Sequence, residues 1–294
     1  MGSVRIAVLL LCSTAAGGCG EPSAGTATGS GGGDNWTAGV GSGGYGAGGA
    51  TPSLTGHRWP THMPQPWQPV DTAWCSDGWF GLDEHTCAYL PASNQAPNAV
   101  VVFLHGMMPP DASAAGQQQV VAQAAETLGV AALFPRGRPG LCAWDKSVLD
   151  QYCWPTSRDV VDAHAPSFAA EWDASLGLMQ QALNVAITRR YVLGFSNGGY
   201  FASYIGLEGW WPADGFGVVA AGRSYVDATL LSQASPPGYI AVGALDGKPV
   251  QNSAQNLAYF LSQQGWPNQF VLHPMRGHEV WPDDIEVAGA LWGL

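Results

Sequence analysis

The sequence predicts an α/β fold, a mostly parallel central sheet with helices on both faces. Three observations predict it. From Ala99 onward, short apolar runs alternate with helical stretches, the pattern of strand–helix–strand units. The segment from His57 to Leu294 is one domain's worth of chain, long enough for a large core. One glycine-flanked serine, Ser196, falls between an apolar strand and a helix.

The elements follow in order. "AVVVFLHG" (99–106) is a strand ending in a tight turn, and "AAGQQQVVAQAAETLG" (114–129) is a helix closed by Gly129. "VAALFP" (130–135) is the next strand. A long loop over 136–165 follows, of a length that usually signals function in a compact domain. Pro166–Asn184 reads as a helix with Ser167 in its first turn. "RYVLGF" is a strand and "NGGYFASYIGL" continues as a helix. Apolar runs at 215–222 and 238–247, a helix over 251–265, a strand within 268–282 and a closing helix complete the domain.

The N-terminus is of a different kind. "MGSVRIAVLLLCSTAAGGC" has a basic start at Arg5, an apolar run, and a small-residue zone ending in Cys19, the layout of an export signal. The run is short for a membrane span, which takes about 20 apolar residues. "AAGGC" resembles a bacterial lipoprotein box, although Ala16 stands where such boxes usually carry Leu. Residues 1–19 are expected to be a lipoprotein-type signal, with Cys19 the lipidated residue and ordinary secretion the alternative. Residues 20–56 are rich in Gly, Ser, Thr and Ala. They hold too little apolar surface to offset ordering entropy and read as a flexible tether. Residues 57–294 form the folded domain. An exported protein, anchored in the cell envelope or secreted, is the expectation.

Charged residues make up only 11% of the chain and the formal net charge is −11. No basic patch is present, which argues against a nucleic-acid partner. A monomer is expected. Beyond Cys12 and Cys19 the cysteines are Cys75, Cys87, Cys142 and Cys153. An even set in an exported chain implies disulfides, with three pairings open. Nearest-neighbour pairing, Cys75–Cys87 and Cys142–Cys153, closes two short loop-rich segments and is the expected one. Zinc is the rival, weakened because the chain has no Cys-x-x-Cys pair.

"YVLGFSNGGYF" contains Gly194-Phe195-Ser196-Asn197-Gly198, a G-x-S-x-G motif. In a chain with 40 Gly that match is weak alone. Its strand-to-helix context raises its weight, because a nucleophile elbow needs glycines on both sides of a sharp turn. A serine hydroxyl also needs a base and an acid to orient that base. In the α/β-hydrolase plan these follow as Ser, acid, His, each after a strand. Asp246 follows "YIAVGAL", and His278 follows "FVLHP". Each has a plain alternative: Asp246 lies in the turn signal "LDGKP", and His278 stands beside Gly277 in a loop. His273 competes as base, and Asp227, Asp283 and Asp284 compete as acid. His105, in "LHG", is expected to support the oxyanion loop.

"FLHGMMP", "GFSNGGY", "VGALDGKPV" and "GHEVWP" resemble the α/β-hydrolase superfamily over about Ala99–Pro282. Within it the chain is similar to secreted esterases of the polyhydroxybutyrate depolymerase and feruloyl esterase group. The resemblance implies an α/β-hydrolase fold, Ser196 as nucleophile, His278 as base, Asp246 as acid, and an oxyanion hole from the backbone N–H groups of Met107 and Asn197. "MMPP" and the loop "LCAWDKSVLDQYCWPTSRD" depart from that group, which puts the substrate in question more than the chemistry. Met108, Trp144, Trp154 and Trp281 are candidates for an apolar substrate pocket, with core packing the plainer reading of each Trp. The function expected is hydrolysis of a small or polymeric carboxylic ester through an acyl-enzyme, without metal or cofactor. A serine peptidase or amidase and a catalytically silent binding lipoprotein are the alternatives.

Overall fold

The computed structural model describes residues 69–92, 96–142, 146–223 and 225–294. The signal 1–19 with Cys19, the tether 20–56 and Trp144 lie outside the described residues. The strands are β1 (Phe80–Gly81), β2 (Thr86–Tyr89), β3 (Ala99–Leu104), β4 (Ala131–Pro135), β5 (Arg189–Phe195), β6 (Gly215–Val219), β7 (Gly238–Gly243) and β8 (Asn268–His273). The α-helices are α1 (Ala115–Leu128), α2 (Arg158–Leu183), α3 (Asn197–Glu208), α4 (Lys248–Gln263) and α5 (Pro282–Trp292).

The eight strands form one sheet in the order β1-β2-β4-β3-β5-β6-β7-β8. β3 to β8 are mutually parallel, while β2 runs antiparallel to β4 and to β1. Every residue of β3, β4, β6 and β7 is buried, as expected of strands with helices on both faces. Alternate residues serve opposite layers. Val100, Val102 and Leu104 join the core under α2, α3 and α4, while Ala99, Val101 and Phe103 join that under α1 and α5. β5, which carries Ser196 at its end, is paired on both sides, by β3 and β6.

Two differences from the sequence expectation have clear causes. β1 and β2 were absent from it, because strands of two and four residues make too short a pattern to read. α2 begins at Arg158, not at Pro166, so Pro166 lies inside the helix and the preceding loop is shorter than expected. Pro prefers the first turn of a helix, which is why Pro166 reads as a start. Here Val161, Ala165, Phe168, Ala169, Trp172, Leu176 and Met179 form one buried stripe across it. That burial, roughly 1.5–3 kcal/mol for each large side chain, outweighs the proline's cost of about 3 kcal/mol.

Cys75 is disulfide-bonded to Cys87 and Cys142 to Cys153. The first staples the segment before β1 to β2, and the second closes the loop between β4 and α2. Among the described residues no helix is long and apolar enough to cross a membrane.

Candidate active site

Ser196 sits between β5 and α3 with φ 53° and ψ −122°, a region that L residues seldom occupy. Its N–H donates to the Val219 carbonyl at 2.9 Å and its carbonyl accepts from the Tyr200 N–H at 3.1 Å, so neighbours on both sides hold the turn. The flanking glycines are required by space. A Cβ on Gly194 would lie 2.2 Å from the Gly198 carbonyl oxygen, and one on Gly198 would lie 2.1 Å from the Leu104 carbonyl oxygen.

The structure brings Ser196, His278 and Asp246 into one hydrogen-bonded row. His278 Nε2 is 2.7 Å from Ser196 Oγ, and His278 Nδ1 is 2.9 Å from Asp246 Oδ2. With Nδ1–H donating to the carboxylate, Nε2 is the acceptor for the serine proton. The Asp246 side chain is 5% exposed and that of His278 is 45% exposed. The Asp246 carboxylate is therefore shielded from solvent while the His278 imidazole faces an open surface. The Phe195 ring lies 5.1 Å from that of His278.

Two side chains hold the loops that present Asp246 and His278. Gln251 in α4 donates from Nε2 to the carbonyls of Ala244 and Asp246, at 3.0 and 2.6 Å, and Asp246 Oδ1 accepts from the Gly247 N–H at 2.7 Å. Asp284 is 1% exposed. Its Oδ1 lies 3.2 Å from the Tyr239 hydroxyl and 2.9 Å from His273 Nε2, and its Oδ2 accepts from the Trp281 N–H at 2.9 Å and from Arg276 at 3.2 Å. This one carboxylate ties both feet of the segment whose tip is His278. Burial pushes its pKa up, and the Trp281 N–H, Arg276 and His273 pull it down. His273 and Asp284 thus pair with each other. Asp227 caps a short turn by accepting from the Thr229 hydroxyl and N–H, which lower its pKa.

Of the two residues expected to supply oxyanion donors, Asn197 directly follows Ser196, and Met107 follows Gly106, where an added Cβ would lie 3.4 Å from the Ser196 Cβ. Asn197 opens α3, where backbone N–H groups lack helical partners. Among the described residues neither its N–H nor that of Met107 has a protein acceptor. The pocket candidates fall in different places. Trp154 is fully buried among Phe168, Trp172 and Phe201, and Met108 is buried against the α1 side of the sheet. Trp154 is thus packed within the core. Trp281 is 44% exposed, under Arg276 at 5.1 Å, three residues beyond His278. Among the described residues no group of three or more His, Cys, Asp or Glu is placed to hold a metal ion.

His105 is fully enclosed. Its Nε2 accepts from the Gly137 N–H at 2.9 Å and its Nδ1 faces the Gly106 carbonyl, which fixes the Nδ1–H tautomer. Burial above all, with Arg136 adding to it, lowers its pKa to about 4. In the unfolded chain the same imidazole titrates near 6.5. The unfolded state therefore takes up a proton that the folded state excludes. The stabilisation is whole above the unfolded value and is lost as pH falls from about 6.5 toward 4, in total on the order of 3 kcal/mol. Urea unfolding of wild type and His105→Gln across this range checks it. We expect the wild-type curve to fall more steeply, and parallel curves would refute the assignment.

No protein-family model matches the chain, and no curated protein matches it by sequence. Solved structures do match. A single-substitution variant of SOBER1 from Arabidopsis thaliana is 17% identical with a TM-score of 0.52, over 66% of this chain and 98% of that one. SOBER1 itself is 17% identical with a TM-score of 0.51, over 66% and 97%. A carboxylesterase from Bacillus cereus is 15% identical with a TM-score of 0.49, over 71% and 92%. The chain has the α/β-hydrolase fold, with the strand order, the parallel core and the strained residue after the fifth strand that belong to it.

Proposed function

We propose that the protein is a serine esterase that hydrolyses carboxylic esters through an acyl-enzyme. The observation that carries this is the row Ser196–His278–Asp246, with Ser196 in a strained turn at the N-terminus of α3. Ser196 Oγ attacks the ester carbonyl while His278 Nε2 takes its proton. Asp246 keeps the imidazole oriented and stabilises the imidazolium. The N–H groups of Asn197 and Met107 receive the developing oxyanion, each worth about 3–4 kcal/mol in such sites. The imidazolium then protonates the leaving alcohol, and water reverses the sequence to free the acid. No step calls on a cofactor. The half-exposed His278 supports an open site with room for an ester on a small molecule or at a polymer surface. The two disulfides are compatible with the exported location read from residues 1–19.

A fluorophosphonate probe and short p-nitrophenyl esters test the proposal. We expect stoichiometric labelling, mapped to Ser196, and turnover in the same preparation. A folded protein that neither labels nor turns over would sink the enzyme reading. Peptide substrates cleaved in preference to esters would move it to the amidase alternative.

A further inference from the structure

We infer that the tripeptide Tyr152–Trp154, the end of the Cys142–Cys153 loop, positions the two oxyanion donors; this rests on the esterase reading. Its three consecutive residues bond to three separate segments. Tyr152 exchanges backbone hydrogen bonds with Met108, at 3.1 and 2.8 Å. Cys153 exchanges them with Arg138, at 2.9 and 3.2 Å. The Trp154 N–H donates to Asn197 Oδ1 at 2.7 Å, and Asn197 Nδ2 donates to the Trp154 carbonyl at 3.3 Å. The indole N–H of Trp154 donates to the His105 carbonyl at 3.0 Å.

One extended strip thus holds both segments that carry the donors. Met107, the first donor, directly precedes Met108, and Asn197 is itself the second. An oxyanion hole works only when its donors stand about 2.7–3.1 Å from the oxygen they serve, so the separation of these segments matters to the chemistry. The buried Asn197 carboxamide uses its acceptor and its donor on one residue of the strip. Its side chain is a positioning group, distinct from its own N–H. The strip has little freedom to slide. Its Trp154 ring is packed at 5.1 Å from Phe168 and 5.9 Å from Phe201, and its Cys153 is bonded to Cys142. The strip 152–154 is therefore a strut between the two segments that carry the donors.

The test uses the full chain with its disulfides formed. Three proteins are compared: wild type, Asn197→Leu, and Cys142→Ala/Cys153→Ala. For each, kcat and KM are measured on p-nitrophenyl acetate, with Ki for a trifluoromethyl ketone whose tetrahedral adduct places an oxyanion in the hole. Melting curves report folding. We expect kcat to fall roughly 10- to 100-fold in both variants, KM to stay within about threefold, and Ki to rise in step with the loss in kcat. If one variant fails to melt cooperatively, the other carries the test. A folded variant that keeps wild-type kcat, or whose Ki is unmoved while kcat falls, would overturn the inference. A wild type that neither turns over nor labels would overturn the esterase reading beneath it.

Discussion

Ser196→Ala is expected to lower ester turnover by about a million-fold, leaving only what binding and the oxyanion donors supply. His278→Ala should cost about as much, and the double variant little more, because the two groups act as one unit. Asp246→Asn should cost roughly 10⁴-fold, since an amide favours the wrong tautomer of His278. The geometry sets this ranking. Ser196 Oγ lies 2.7 Å from His278 Nε2, whereas Asp246 meets the far side of the ring at Nδ1. Burst and steady-state kinetics on p-nitrophenyl esters would measure all four proteins. Activity within tenfold of wild type in Ser196→Ala would place the nucleophile elsewhere. A His273→Ala loss equal to that of His278→Ala would say that the wrong histidine has been assigned.

Gly198→Ala is expected to be the most damaging change that touches no reacting atom. Its Cβ would stand 2.1 Å from the Leu104 carbonyl oxygen and 2.5 Å from that of His105. Both obstacles are backbone, so no rotamer change relieves them. Either α3 withdraws from β3, displacing the Asn197 N–H, or the strand end moves. A destabilisation of about 3–5 kcal/mol is expected, near the top of the range for single substitutions. Denaturant unfolding would measure it, alongside the rate of fluorophosphonate labelling. A variant with wild-type stability and labelling rate would mean that the turn is looser than this geometry.

The strands from β3 to β8 were legible because each is a buried apolar run bounded by turn residues, and the parallel order followed from the helices between them. Ser196, Asp246 and His278 were readable from their order after strands, and the structure places them within hydrogen-bond reach. What remained hidden depends on partners far away in the chain. Nothing local marks Asn197 as the ligand of a backbone 43 residues earlier, or Gln251 as the clamp on the Asp246 turn. Asp284 looked like a spare acid because its partners, Tyr239 and His273, arrive from other strands. Trp154 was ambiguous for a simpler reason. A large aromatic ring has the same character in a core as in a pocket, and only its neighbours decide.

The distances along the chain have a consequence for when the chemistry can begin. Ser196 and His278 are separated by 82 residues and Asp246 and His278 by 32. The backbone turn at Ser196 is held by Val219, which also comes later in sequence. As the chain emerges from a ribosome, Ser196 is made long before the residues that the fold sets beside it. His278 follows β8, the last strand among the described residues, so it reaches Ser196 only when the sheet is otherwise complete. On the esterase reading, a chain cut before His278 would be inert, and hydrolysis would begin only once the last strand had joined the sheet.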